Sequence, residues 1–512
     1  MRESSLWFVV VALLSAIPVS SAPLTGRVLR VSQLDGTNGF IIVDSVHLTA
    51  SGHKWYHLTY TPDADGDSCD EICITCSCGR NLLLFSQSGH SGSIRDAAQL
   101  DGTNGYTITG TSANEAYGCA YGASPGFPCV ACGCYLEELA TNCMVEVLLK
   151  LAHPGSANEE FVSDQWWQVS ARLYFAEFDW GWYAAAIGTF LGSGYSLAVP
   201  CYNRGVPVVP LTALSNQAIL VSTQDSSVVH VDRPASTRWR IANVGDANGD
   251  ACDDLLVSAD SGVPDEECWL VFGGSNWHGS VNLTNLGSRG VTLHSVLYPV
   301  PPFMQEPRVG GLIGGVGDLN GDGLMDFAYM DVGMGEYSYC VILYGQTNMA
   351  PIAHAWHADG FRGFRLKEWH SVPQFETAEG DINNDGHMDL VFSSDGKALV
   401  FYCGPFIKPE IECDSLDQWI NGTNGIIVDP ERLAPGRSYA IDGDVNGDGY
   451  DDLSCIIDSS SYPTNIAWVV YGGQSPSTPP AVRTPVWINV GESASVDVQY
   501  TDLPTNIVWT GC

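Results

Sequence analysis

Four stretches of this sequence place carboxylates and amides at a spacing suited to gripping a hard cation. They are GDANGDACDDLLVSAD from Gly245, GDLNGDGLMDFAYMD from Gly317, GDINNDGHMDLVFSSD from Gly380 and GDVNGDGYDDLSCIID from Gly443. Counting from the first aspartate, side-chain oxygens fall at positions 1, 3, 5 and 9. These are Asp246, Asn248, Asp250 and Asp254; Asp318, Asn320, Asp322 and Asp326; Asp381, Asn383, Asp385 and Asp389; and Asp444, Asn446, Asp448 and Asp452. Position 7 can add its backbone carbonyl, from Cys252, Leu324, His387 and Tyr450. Three carboxylates, one amide and one carbonyl form a hard oxygen set, which suits calcium better than zinc or a redox metal. Gly323, Gly386 and Gly449 at position 6 permit a left-handed turn around an ion, whereas Ala251 predicts a strained or differently shaped turn. A weaker fifth copy offers Asp63, Asp65, Asp67, Cys69 and Glu71.

Asp, Asn and Gly form solvated turns without any metal. Four near-copies at a fixed period nevertheless favour calcium, at four strong sites with a fifth in reserve. An EF-hand is excluded, because its position 12 needs Glu and here holds Val257, Tyr329, Phe392 and Cys455, and a strand pattern follows. Three anions within a few ångströms repel by a few kcal/mol per loop at roughly surface-like dielectric, so a bound ion is expected to be structural.

Other chemistry is weakly represented. One GxSxG string, Gly122-Ala123-Ser124-Pro125-Gly126, places a proline where a nucleophile elbow needs a backbone N–H. HExxH and phosphate-cradling glycine loops do not occur. CxxCxC appears at Cys73, Cys76, Cys78 and again at Cys129, Cys132, Cys134. In an exported chain this spacing favours disulfides over zinc. Cys252 with Cys268, and Cys403 with Cys413, are the local pairings the spacing suggests. The aromatics Trp166, Trp167, Tyr174, Phe175, Phe178, Trp180, Trp182 and Tyr183 suit packing between sheets first and a binding surface second.

The elements that position the loops follow from the repeat. The first aspartates Asp246, Asp318, Asp381 and Asp444 are spaced by 72, 63 and 63 residues, and Asp63 precedes Asp246 by 183, three steps of 61. The period predicts two worn loops, near 119–127 and 177–185. A second element, LDGTNG at Leu34 and Leu100 and INGTNG at Ile420, with a degraded LGSRG at Leu286, reads as an Asn-Gly hairpin turn. Between loop and turn come an apolar strand and an aromatic-glycine strand end: Phe272-Gly273, Tyr344-Gly345, Tyr471-Gly472. About 60 residues with four short strands is one propeller blade, and seven loops predict an all-β, seven-bladed β-propeller. The orphan turn at Leu34 precedes any loop, so an N-terminal strand over 27–45 is expected to complete the last blade and close the ring.

Composition and chain ends set the compartment. Net charge is −36, from 58 Asp+Glu against 22 Lys+Arg, which disfavours nucleic acid and anionic lipid as partners. Hydrophobic content of 45% exceeds that of a disordered acidic tail. The apolar run Leu6–Ile17 followed by small residues resembles a secretory signal peptide, giving a leader over 1–22, a propeller over 23–475 and a Pro-containing tail over 476–512. Seventeen cysteines and the sequons at Asn282 and Asn421 fit a secreted or surface-exposed glycoprotein. The uncharged stretch Trp180–Asn203 is broken by Gly188, Gly192, Ser193 and Gly194, which favours two strands around a Gly-Ser-Gly turn over a membrane span.

On its DxNxDGxxD loops and LDGTNG turns the chain resembles the FG-GAP repeat family, the seven-bladed propeller at the head of integrin alpha subunits and in many secreted proteins. The resemblance covers nearly the whole expected mature chain. It implies calcium ligands on one face at Asp246, Asp318, Asp381, Asp444 and their loop partners, with ligand-meeting loops on the opposite face. The family's Gly-Ala-Pro triplet is replaced by SAD, YMD, SSD and IID. The expected function is calcium-stabilised recognition of an extracellular protein or glycan, as in cell adhesion. The alternative is a secreted lyase or hydrolase acting on polysaccharide, because propellers host many functions.

Overall fold

The structure is a computed structural model. It describes residues 28–48, 55–61, 63, 67–76, 80–86, 93–101, 103–109, 132–136, 143–151, 167–175, 186–192, 194, 196–199, 205–210, 217–221, 229–232, 238–260, 267–275, 277, 280–294, 308–332, 337–369, 374–375, 380–394, 396–405, 407–412, 420–430, 436–457 and 464–473. These residues are all-β: their strands form seven sheets, and their helical pieces are three-residue 3₁₀ turns.

In chain order, the first sheet contains Trp55–Thr61, Glu71–Cys76, Arg80–Leu84 and Gly105–Thr109. The second contains Cys132–Leu136, Cys143–Leu151 and Trp167–Phe175; the third, Ala186–Gly188, Ser196–Ala198, Val206–Pro210 and Val229–Asp232. The fourth is Arg238–Gly245, Asp254–Asp260, Glu267–Val271 and Gly290–His294, and the fifth Arg308–Gly317, Asp326–Val332, Tyr337–Leu343 and Gly363–Trp369. The sixth is Gln374–Phe375, Leu390–Ser394, Lys397–Phe401 and Gly425–Asp429. The seventh joins Gly436–Gly443, Asp452–Ile457 and Thr464–Val470 to a strand from the other end of the chain, Gly39–Leu48. Phe40 stands opposite Val469 and Ile42 opposite Ala467 in antiparallel register.

Apolar residues on both faces of each strand make this arrangement stack. In the fourth sheet Leu255 and Val257 enter the core shared with the third, while Leu256 between them enters the core shared with the fifth. In the Gly39–Leu48 strand Ile41 and Val43 face the sixth sheet, and Phe40 and Ile42 face the first. A strand buried on both sides needs this continuous apolar run, and the period of two sorts its residues between two interfaces. The fifth and sixth sheets share a further core around Phe364 and Phe401.

A second device links the sheets. The segment between the third and fourth strands of one sheet adds a short parallel strand to the outer edge of the preceding sheet. Ser280–Asn282 pairs with Val229–Asp232, Ile352–His354 with Gly290–His294, Glu410–Glu412 with Gly363–Trp369, and Ile94–Asp96 with Gly39–Leu48. Gln217–Val221 does the same for the second sheet, and Val28–Arg30, just ahead of Gly39, does it for the sixth. The sheets are therefore linked in series from the second through the seventh to the first; a junction between first and second falls outside the described residues.

Several expectations are revised. The LDGTNG segments are not two-residue hairpin turns, since each connects the lent parallel strand to the fourth strand of its own sheet. Asp35 Oδ1 accepts from Thr37 N at 2.9 Å and Thr37 Oγ1 at 2.6 Å, and the Asp35 N–H donates to Asn38 Oδ1 at 3.0 Å. The same net forms at Asp101 and Asn421. Positive φ occurs at Gly36 and Gly39, with none at Asn38, whereas a type I′ hairpin needs it at Asn too. The loop expected near 177–185 is replaced in the third sheet by the 189–195 connection, between antiparallel strands Ala186–Gly188 and Ser196–Ala198. Residues 177–185, the 119–127 loop, the GxSxG string, Phe178, Trp180, Trp182 and Tyr183 lie outside the described residues, as do 1–27 and 474–512.

Cys252 and Cys268 are not bridged: both are buried free thiols. Cys268 stands opposite Ser258, four residues along the strand from Asp254, so roughly 13 Å of extended backbone separates it from the loop that holds Cys252. Cys403 is likewise a buried free thiol, and Cys413 lies outside the described residues.

Ile42 is fully buried between the seventh and first sheets. Ile42→Ala should therefore lower unfolding free energy by about 2–5 kcal/mol, read as a lower denaturant midpoint at unchanged m-value. A loss under ~1 kcal/mol would show that the N-terminal strand does not support the seventh sheet.

Candidate functional site

The acidic loops join the first and second strands of their sheets, and their backbones share one design. The position 1 carboxylate is held inside its own loop by successive amides. Asp318 Oδ1 accepts from Gly321 N at 2.7 Å and Asp322 N at 3.0 Å, and its Oδ2 accepts from Gly323 N at 2.7 Å. Asp246 and Asp444 repeat this with Gly249, Asp250 and Ala251, and with Gly447, Asp448 and Gly449. Asp381 accepts from Asp385 and Gly386, and Asp63 from Asp67 and Ser68. The position 5 carboxylate accepts from the N–H of position 7 in all five loops, at Cys252, Leu324, His387, Tyr450 and Cys69.

Position 6 is left-handed throughout: φ is 87° at Gly323, 86° at Gly386, 87° at Gly449, 66° at Ala251 and 72° at Ser68. The Ala251 turn is thus strained but not differently shaped. Holding a non-glycine residue there costs of order 1–3 kcal/mol.

The position 9 carboxylates are the most enclosed. Asp254, Asp326, Asp389, Asp452 and Glu71 are all fully buried. Asp326 Oδ2 accepts from Leu319 N at 2.9 Å and its Oδ1 from Gly345 N at 2.8 Å. Asp254 is held alike by Ala247 and Gly273, and Asp452 by Val445 and Gly472. Asp389 Oδ1 accepts from Cys403 N at 3.0 Å, while its buried Oδ2 has no hydrogen-bond partner among the described residues. Burial pushes Asp254 up to about 8, against the pull of its amide donors and with the push of Asp250 and Asp246. Burial likewise drives Asp326, Asp389 and Asp452 well above the usual carboxylate range, and the loop carboxylates add to it. No Lys or Arg figures among these causes. In the sixth sheet's loop His387 Nδ1 pairs with Asp385 Oδ1 at 3.2 Å, which raises the His387 pKa.

Two features were invisible in the motif. The first is the donor to position 9: Gly273, Gly345 and Gly472 are the glycines of the aromatic-glycine strand ends. A side chain there would meet loop carbonyls, of Asp253 at Gly273 and Asp451 at Gly472. The near-constant offset of 19, 19 and 20 residues from position 9 was the signal for that bond. The second is that the loops join one another. Position 8 donates its N–H to the position 1 carbonyl of the preceding loop: Met325 to Asp246 and Met388 to Asp318 at 3.0 Å, Asp451 to Asp381 at 3.4 Å, and Asp70 to Asp444 at 2.9 Å. Where position 8 is Asp, its carboxylate also accepts in return, Asp451 from Asp381 N at 2.7 Å and Asp70 from Asp444 N at 3.0 Å. Burial lifts Asp451 to about 6.

Among the described residues no three His, Cys, Asp or Glu side chains converge on a point that could hold a metal ion. In the four strong loops positions 1, 5 and 9 lie near enough for their charges to interact, but backbone amides engage most of their oxygens. Asp65 lies outside the described residues. The donor set is nonetheless all hard oxygen, and the buried, unpartnered Asp389 Oδ2 is an anionic acceptor of the kind a cation satisfies. The residues therefore fit calcium chemically.

No family model and no curated protein matches the sequence. Among solved structures the chain is similar to BBS1N in complex with ARL6DN soaked with lead, with a TM-score of 0.40, 10% identity, and 85% of this chain and 96% of that chain covered. The same complex soaked with mercury gives 0.38, 9%, 85% and 96%. Likeness at that level carries no argument here, so the all-β architecture rests on the strand pairing itself. Among the described residues no helix is long and apolar enough to cross a membrane.

The raised carboxylates set a pH dependence. The folded state of the metal-free chain retains protons on Asp254 and Asp451 that the unfolded state releases near the ordinary value of 3.8, so it binds more protons over that interval. Stability in chelator should accordingly be full below pH 3.8 as far as these groups contribute, and fall as pH rises toward about 8, read as a declining melting temperature. A melting temperature rising across this window would show these carboxylates to be charged and compensated without metal.

Proposed function

We propose that this chain is an extracellular, calcium-braced, seven-bladed propeller of FG-GAP type that recognises a protein or glycan partner and performs no chemistry. The observation that carries the calcium reading is the buried position 9 carboxylate, set beside two further anions of its loop with no Lys or Arg acting on it among the described residues. Burial of an unpaired charge is costly, and the chain must either protonate it or supply a cation. Position 1, 3, 5 and 9 side chains with the position 7 carbonyl would hold the ion: Asp246, Asn248, Asp250, Cys252 and Asp254 in the fourth sheet, and the matching residues of the fifth, sixth, seventh and first. Bound calcium would supply positive charge to each loop where it meets its neighbour.

Support for a closed ring is the serial linkage of seven sheets with both chain ends meeting in the seventh. An edge-free ring explains why the N-terminal strand is placed there. Support for export comes from the leader-like N-terminus and from sequon asparagines Asn282 and Asn421, both exposed. Free thiols are compatible with export when protonated and enclosed: burial raises Cys69 and Cys268 to about 12 and Cys252 to about 11.

Calcium at 100 times its dissociation constant should stabilise by about 2.7 kcal/mol per site, so chelation should lower the melting temperature by an amount that calcium, and not an equal ionic strength of sodium, restores. Indifference to chelator would remove the metal from this reading. Pull-down from extracellular material should capture a partner in calcium and release it in chelator, with no product formed on a polysaccharide panel; turnover on that panel would replace recognition with catalysis.

A further inference from the structure

A cavity of ≈ 730 Å³ opens at the loop end of the fourth sheet, against the fifth, and is lined among others by Asn248, Phe272, Trp277, Arg289, Thr347 and Asn348. That volume suits a small ligand. The Trp277 ring is fixed by its indole N–H, which donates to the Phe272 carbonyl at 2.8 Å.

Arg289 is the telling residue. It occupies the position just before the glycine that opens the fourth strand, and in the other sheets with this turn that position is engaged. Asn38, Asn104 and Asn424 accept the N–H of Asp35, Asp101 and Asn421. Arg362 pairs with Asp359 at 2.8 Å. In the fourth sheet the slot of Asp35, Asp101, Asp359 and Asn421 is taken by Leu286, which is buried in the core between third and fourth sheets. The turn still forms, with Gly287 left-handed at φ 59° as Gly36 is at 91°. Arg289 is exposed, and its guanidinium makes no ion pair or hydrogen bond among the described residues. One carboxylate, Asp250, also lines the cavity, and its Oδ1 accepts from Cys252 N at 2.9 Å; in a chain of net charge −36 the uncommitted guanidinium at the mouth is the group there that an anion can pair with.

We propose that this cavity binds an acidic saccharide, with the sugar carboxylate on Arg289, the apolar face of the ring against Phe272 and the exposed edge of Trp277, and hydroxyls on Thr347 and Asn348. Aromatic faces with side-chain amides suit a pyranose. A peptide adding to the sheet is disfavoured, because Gly290–His294 is already paired on both sides, with Glu267–Val271 and Ile352–His354. The proposal rests on the chain being a recognition protein, and it does not require calcium.

The test is calorimetric titration of the full chain with trigalacturonic acid and with neutral cellotriose, in parallel for Arg289→Gln and Asn348→Ala. A charge-assisted bidentate contact should make the acidic sugar bind about tenfold tighter or more. Arg289→Gln should abolish that preference at unchanged melting temperature, since this side chain supports nothing in the fold, and Asn348→Ala should weaken the acidic sugar while keeping the preference. Equal affinity for the two sugars, no heat from either, or a preference that survives Arg289→Gln overturns the assignment. A chain that captures an extracellular partner yet gives no heat with trigalacturonic acid keeps the recognition reading and loses this one.

Discussion

A carboxylate buried at the start of the second strand, present in five of the sheets, is the constraint around which those sheets are arranged. Such a group is tolerated only when its oxygens are met by donors, and the chain meets them from two directions. For Asp254, Asp326 and Asp452 one N–H comes from position 2 of the same loop and the other from the far end of the third strand, at Gly273, Gly345 and Gly472, while Asp389 is met by Cys403 N. The acid thus fixes loop, second strand and third strand to one another. At Gly273, Gly345 and Gly472 the donor's backbone comes so close to the loop that a Cβ has no room, whereas Cys403 fills the same place in the sixth sheet with a side chain.

From that local knot the coupling extends sideways. The loops of the fourth to seventh sheets each accept an N–H from the next, the second to seventh sheets each receive a strand from their successor, and strands such as Asp254–Asp260 divide their apolar residues between two cores. The three linkages work at different radii, so a sheet is held at its loop end, across its faces and along its outer edge. Polar ties reinforce the junction of seventh and first sheets, where the Trp55 N–H donates to Asn465 Oδ1 at 3.1 Å and Tyr60 Oη donates to the Asp452 carbonyl at 2.9 Å. These contacts run between residues about 400 apart in sequence, which is why this topology spends chain entropy before it gains packing.

Much of this was legible in the sequence because the signals were local and repeated. The DxNxDGxxD spacing located four loops and hinted at a fifth, and alternating apolar runs marked the strands behind them. What escaped was non-local. The parallel strands at Ser280–Asn282 and Ile352–His354 are too short to show a period of their own. The Asn-Gly dipeptides looked like hairpins because their chemistry is that of a turn, but a turn says nothing of where the chain arrived from. Cys252 and Cys268 are close in sequence yet far apart along the extended strand between them. The third sheet's loop was misplaced because, without its acids, nothing local distinguished Thr189–Gly194 from any other Gly-Ser turn.

That third loop separates two roles that the acidic copies combine. It has no carboxylate, yet the Asp253 N–H still donates to it, at Thr189 Oγ1 (3.2 Å) in place of a carbonyl, and the Phe190 carbonyl accepts the Gly274 N–H at 2.9 Å as Ala247 and Ile382 accept from Gln346 and Gly473. Ala251 and Ser68 make the complementary point, since each holds a left-handed conformation unfavourable to its side chain in order to keep the shared loop shape. Shape is therefore required by the neighbouring sheet whether or not the acids are present. The acids are a separate investment of buried charge, made in five loops and omitted in the third. The buried charge is thus additional to what the neighbouring sheet requires of the loop, and it is this surplus that the proposed calcium would neutralise.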